Sequence, residues 1–159
     1  MNTLLPAADS ATIIRRVRAI LLTAAGTVLF IKRVKPNGTL PYHVAPGGGV
    51  EQHDASLEEA LHREVFEELG ATLEIVAPGF VLRHSMAGKN LEEHFFICRL
   101  RDLDLSLRHG PEFEDPTRGE YIPEEVALTA AALNTVSLKT PQLATWLHEH
   151  VAYLRELAA

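Results

Sequence analysis

The residues whose types and spacing can do chemistry lie between positions 47 and 70. Gly47-Gly48-Gly49-Val50-Glu51 is followed by Arg63-Glu64-Val65-Phe66-Glu67-Glu68-Leu69-Gly70. On a helix each residue advances about 100°, so Glu64, Glu67 and Glu68 share an arc of roughly 100°. Like charges three and four residues apart on a helix repel one another. The stripe Leu57, Leu61, Val65 and Leu69 borders that arc. Glu68 is therefore expected at the core boundary, where water screens it poorly. A hard divalent cation resolves the conflict, and oxygen donors suit magnesium, manganese or calcium. Arg63 precedes Glu67 by four residues and can pair with it. The glycine run lets the backbone approach a ligand closely, and a carbonyl there can join a metal shell. Ions held this way activate a water and neutralise phosphate oxygens. The implied reaction is metal-assisted hydrolysis at phosphorus. Taken alone, the E-x-x-E-E spacing also fits an ordinary solvated helix face.

The charge distribution points the same way. The chain carries a formal net charge of −6. Residues 1–50 hold six basic residues and one acid, whereas residues 51–68 hold seven acids and one basic residue. The overall negative charge argues against a stable nucleic-acid partner held by phosphate neutralisation. The basic N-terminal third can supply a partner for substrate phosphates. Arg33 is the first choice there, with Arg15, Arg16, Arg18, Lys32 and Lys35 as alternatives.

These residues carry a resemblance. Gly49, Arg63, Glu64, Val65, Glu67, Glu68 and Gly70 match the Nudix box, the pattern G-x5-E-x7-R-E-U-x-E-E-x-G-U with U a bulky aliphatic. Two positions of the box, which spans 49–71, depart from it. The first Glu falls on Ala55, with Asp54 beside it, and the final aliphatic is Ala71. The resemblance implies an α/β fold, a single-domain α/β/α sandwich around a mixed sheet. It implies hydrolysis of a P–O–P bond in a nucleoside diphosphate linked to another group. The cofactor implied is Mg2+, with Mn2+ as a substitute. Glu64, Glu67, Glu68 and the Gly48 carbonyl would be the metal ligands, and Arg63 would orient a glutamate. Gly47, Gly48, Gly49 and Arg33 would face the substrate. The general base is expected outside the box, and Glu112, Glu114 and Glu120 are the candidates. Asp54 could replace the missing Glu if the loop shifts by one residue. Two rival readings share the fold. One is a catalytically weak nucleotide sensor, suggested by Ala55. The other is an isoprenoid diphosphate isomerase, disfavoured because the one cysteine, Cys98, lies far from the box.

The elements that must position this site are legible from pattern. Apolar runs at 13–23 and 27–34, split by Ala24-Ala25-Gly26, read as a hairpin. Tyr42 to Ala45 is a short strand before Pro46 and the glycines. Residues 56–69 form a helix, opened by the Ser56–Glu59 capping box and stopped by Gly70. Strands are expected at 72–83, 91–100 and 120–126, with a polar loop over 102–119. Thr140-Pro141 opens a last helix to about Leu157. Residues 1–11 read as a flexible tail before a domain over 12–159. Among the eight histidines, none has the spacing of a metal pair; His43 and Trp146 read as packing residues. Tyr42, Phe80 and Phe113 are candidates to stack on a base. The longest apolar run, from Ala19 to Ile31, is shorter than the roughly 20 residues a membrane helix needs, and residues 1–12 contain no Lys or Arg. A cytoplasmic, membrane-free protein is expected; a homodimer is left open.

Overall fold

The computed structural model describes residues 13–159, so the expected tail over 1–11 lies outside the described residues. The first hairpin forms as its pattern predicts, from β1 (Ile13–Leu22) and β2 (Thr27–Val34). Gly26 closes it with φ of 77°, a value glycine adopts without strain. The two strands pair only at Leu21–Leu29 and Leu22–Val28. Beyond that point they separate. The segment 42–49 fills the gap, with β3 (Tyr42–Val44) along β2 and β4 (Gly47–Gly49) along β1. The glycine run, expected from sequence to let the backbone approach a ligand closely, forms a strand.

Helix α1 (Leu57–Leu69) follows. The Ser56 hydroxyl accepts the Glu59 N–H at 3.1 Å, and Gly70 ends the helix in the left-handed region at φ 62°. Then β5 (Ala71–Met86) and β6 (Lys89–Leu103) form a hairpin longer at its tip than the pattern suggests. Three register shifts near Thr72, Ile75 and Pro78 interrupt β5. β6 runs parallel to β1 and antiparallel to β5, so the sheet is mixed. The segment 104–119 contains a short helix, α2 (Pro111–Glu114), between two 3-10 turns. β7 (Glu120–Ala127) pairs with the free edge of β2. The short helix α3 (Ala130–Leu133) leads to α4 (Pro141–Glu149) and α5 (Val151–Ala158). The single last helix expected is thus two. His150 breaks it by leaving helical geometry at φ −119°, and its ring stacks on Trp146 at 4.1 Å.

Strand alternation sends the β1 side chains to two cores. Val17, Ala19 and Leu21 pack with Leu57, Leu61, Val65 and Leu69 of α1. Ile20 and Leu22 pack on the other face with Leu143, Leu147 and Leu154 of α4 and α5. The result is the expected α/β/α sandwich. Each fully buried leucine contributes on the order of 2 kcal/mol. Among the described residues no helix is long and apolar enough to cross a membrane.

Gly70 combines two constraints. Its φ is left-handed, and a Cβ there would lie 1.9 Å from the Asp104 carbonyl oxygen. Gly70→Ala is expected to destabilise the fold by at least ~2 kcal/mol, from backbone strain plus displacement of residue 104. Urea unfolding followed by circular dichroism measures this; a loss under ~0.5 kcal/mol would contradict it.

Candidate active site

Helix α1 lies against β4, and side-chain-free backbone makes that approach feasible. A Cβ on Gly48 would lie 2.5 Å from a carboxylate oxygen of Glu64. A Cβ on Gly47 would lie 2.0 Å from the Val17 carbonyl oxygen. Glu68, buried as its place beside the apolar stripe predicts, accepts the Gly47 N–H at 2.5 Å. The helix carboxylates and the glycine strand thus form one unit.

Arg63 ties this unit together. Its Nε and Nη2 grip Asp54 at 2.9 and 2.8 Å in a two-pronged pair. Its Nη1 donates to Glu64 at 3.1 Å and Glu67 at 3.3 Å, and Nη2 donates to the Gly49 carbonyl at 3.0 Å. Asp54 is buried and also accepts the Glu51 N–H at 2.8 Å. Ala55 is exposed. Asp54, one residue before Ala55, is the carboxylate that reaches Arg63. Its oxygens are taken up by Arg63 and the loop, so it braces the arginine. The Arg63 hydrogen bond holds the Asp54 carboxyl below its usual range against the opposing effect of burial. Arg63 is correspondingly held in its charged form, chiefly by Asp54.

The helix carboxylates are under electrostatic tension. Burial pushes Glu68 up to about 8, with Arg18 and the Gly47 N–H working against it. Burial also raises Glu64, opposed mainly by Arg63. Among the described residues, no three His, Cys, Asp or Glu side chains converge as a metal shell. Glu64 and Glu67 turn to Arg63, and Glu68 turns to Gly47. The donor set nevertheless fits a hard cation. It consists of oxygens alone, on one helix face, beside a strand with no side chains to obstruct an ion. A divalent cation would also relieve the charge that burial disfavours.

A cavity of about 500 Å³ opens from this unit. Gly47, Gly48, Gly49, Glu64 and Glu68 form one part of its wall, and Arg33 lines it as expected. Glu67 does not reach the lining. Of the three base candidates, Glu112 lines the cavity, whereas Glu114 and Glu120 do not. Glu114 and Glu120 are exposed. The charge of Glu112 adds to the upward push of burial on both Glu64 and Glu68. Its loop is anchored by two touching rings with a cation at each end. Arg33 lies 3.7 Å over Tyr121, Tyr121 meets Phe113 at 5.3 Å, and Arg108 lies 4.4 Å over Phe113. Among the base-stacking candidates, Tyr42 lines the cavity, Phe113 is one of these two rings, and Phe80 packs on Phe95 and Trp146. His43, buried and bonded to Glu124, lines the cavity too.

Several cavity residues carry no sequence signal of their own. Glu93, His84 and Lys139 come from distant segments brought together by the sheet and the 137–143 segment. Arg16 and Arg18 were alternatives to Arg33, and all three line the cavity. Arg15 is drawn away from this group by its pairing with Glu92.

A family profile described as NUDIX domain matches residues 12–141. No curated protein matches the sequence. Solved structures do resemble it. A NUDIX hydrolase from Nitrosomonas europaea aligns with a TM-score of 0.67 at 18% identity, covering 89% of this chain and 90% of that one. A MutT protein from Methanosarcina mazei gives 0.62 at 23% identity, covering 89% and 94%. An Ap4A hydrolase from C. elegans, solved as a binary complex, gives 0.62 at 18%, covering 90% and 98%. At these identities the likeness is one of fold. The profile match spans most of the chain, including the glycine strand, the Arg63 hub and the carboxylates that face the cavity. The chain accordingly belongs to the Nudix family and is an enzyme of its pyrophosphohydrolase type.

Proposed function

We propose that the protein hydrolyses a phosphoanhydride bond in a nucleoside diphosphate linked to another group. The observation that carries this is the meeting, in one cavity, of Glu64, Glu68 and Glu112 with Arg16, Arg33 and Lys139. Carboxylates suited to a cation face guanidinium and ammonium groups suited to phosphates. Glu64, Glu67, Glu68 and the Gly48 carbonyl would hold Mg2+ or Mn2+. When bound, the ion supplies charge neutralisation at phosphorus and a more acidic water. Glu112 takes the proton as the water oxygen attacks phosphorus. The bridging P–O bond breaks, and its electrons leave with the departing phosphate. Arg63 keeps Glu64 and Glu67 aligned, and Asp54 keeps Arg63 in place. The sensor alternative draws on Ala55; the contact of Asp54 with Arg63 supports the hydrolase reading over it.

The direct test is a screen of nucleoside triphosphates, ADP-ribose, dinucleoside polyphosphates and nucleotide sugars with Mg2+, reading phosphate and nucleotide release. Glu68→Gln should lower kcat at least ~100-fold, and Glu112→Gln at least ~10-fold, both remaining folded. Hydrolysis unaffected by Glu68→Gln would sink the metal assignment.

The Glu68 environment also sets a pH dependence. Its folded pKa lies above the unfolded value, so the folded state holds the extra proton between about pH 5 and about 8. Stability of the metal-free protein should therefore fall as pH rises through that window. Glu68→Gln should flatten the slope. Melting temperatures at closely spaced pH values decide this, and a wild-type slope of the opposite sign would be fatal to it.

Asp54→Ala leaves a largely buried guanidinium without its main partner. It should cost ~2–4 kcal/mol of stability and at least ~10-fold in kcat with KM little changed. Ala55→Glu, on an exposed position, should alter kcat less than ~10-fold. The reverse ranking of the two variants would show that the box position, and not the Arg63 contact, is what matters.

A further inference from the structure

Arg16 and Arg18 are two residues apart on β1, so their side chains leave the same face of the sheet. Both line the cavity. Their commitments differ. Arg18 Nε donates to Glu93 at 3.1 Å, and its Nη1 donates to the carbonyls of Ala45 and Gly47 at 3.2 and 3.3 Å. Glu93 is itself buried, so this charge pair is shielded from water. Arg18 is thus tied to the turn and to the glycine strand. The Arg16 side chain makes no hydrogen bond, ion pair or ring contact among the described residues. In the sheet it stands opposite Gly49 on one side and Glu93 on the other. Glu93 faces Arg18 and, through its other oxygen, His84 at 3.4 Å.

The other cavity cations are more constrained. Arg33 donates to the backbone carbonyls of Arg118 and Glu120 and lays its plane on Tyr121. Arg118 pairs with Asp115 at 3.6 Å. Lys139 offers a point charge beside Tyr42. A guanidinium presents planar paired donors that match two phosphate oxygens. A half-buried arginine with all those donors unspent, next to the strand that faces the carboxylates, is built for an anion.

We infer that Arg16 is the substrate-phosphate anchor of this cavity, while Arg18, immobilised by Glu93, braces the glycine strand. This rests on the hydrolase reading above. It assigns the first grip on the phosphates to Arg16, with Arg33 in a supporting place.

The test uses the full chain and isothermal calorimetry. The probes are Mg2+ alone, and the α,β-methylene diphosphates of adenosine, guanosine and uridine with Mg2+, whose P–C–P link resists cleavage. Arg16→Ala should weaken the tightest analogue at least tenfold, leave Mg2+ affinity within twofold, and leave the melting temperature unchanged. Arg16→Lys should recover part of the loss. Arg18→Ala should instead weaken Mg2+ itself. Analogue affinity within twofold of wild type in Arg16→Ala overturns the assignment while the hydrolase reading stands. So does an equal loss of Mg2+ and analogue, which would make Arg16 a structural residue. A wild-type protein that binds neither Mg2+ nor any analogue overturns the hydrolase reading and this inference together.

Discussion

The approach of helix α1 to a strand without side chains is the constraint on which the site depends. An oxygen of Glu64 lies only 2.5 Å from where a Cβ of residue 48 would stand. Any larger residue would push the helix outward and carry Glu64 and Glu68 with it. The strand can occupy that place because β1 and β2 pair at two positions only and then separate. The gap admits β3 and β4, and β4 enters it as glycine. Topology, then, makes the slot, and composition makes the slot thin enough for the helix carboxylates to reach the cavity.

Packing the helix so closely concentrates negative charge, and two arginines answer it from opposite sides. Arg63 gathers Asp54, Glu64, Glu67 and the Gly49 carbonyl on the helix side. Arg18 holds the Ala45 and Gly47 carbonyls from the sheet side and opposes the upward push on Glu68. Each arginine is itself fixed by a buried acid, Asp54 in one case and Glu93 in the other. Breaking such a pair by removing the acid strands a cation that water reaches only in part, so both acids matter beyond their own contacts. The parallel is physical: a flexible cation can position a backbone carbonyl only if its own freedom has been removed first.

Much of this was legible in the sequence wherever the signal is local. The capping box at Ser56, the four-residue stripe and Gly70 specify α1, because each acts within one or two helical turns. The charge contrast between residues 1–50 and 51–68 also anticipates which segments face one another. What was not legible depends on register and on distance along the chain. That the glycines form a strand is not visible in their composition, since glycine carries no strand propensity; pairing with Arg16–Arg18 makes them one. The last helix was read as continuous, since its apolar pattern runs through His150, whose backbone leaves the helix. Glu112 could not be told from Glu114 and Glu120 by composition. The fold separates them: Phe113 docks against Tyr121, and of the three only its neighbour Glu112 lines the cavity.

Asp54 shows why spacing in a motif is weaker evidence than contact. Counting from Gly49 puts the box's first acid on Ala55, and that position is solvent exposed. The loop from Val50 to Ser56 delivers a carboxylate to Arg63 from residue 54. Its geometry is set at both ends, by the Val50 N–H on the Arg15 carbonyl at 3.0 Å and by Ser56 capping α1. Between those anchors the Asp54 N–H closes a turn on the Glu51 carbonyl at 3.0 Å, while the Asp54 side chain accepts the Glu51 N–H. That reciprocal turn drives residue 54 inward and residue 55 outward. An aspartate is the residue for the task, since its short side chain can bond the turn and Arg63 together. The carboxylate that braces Arg63 is thus buried and supplied by residue 54, while residue 55 faces solvent.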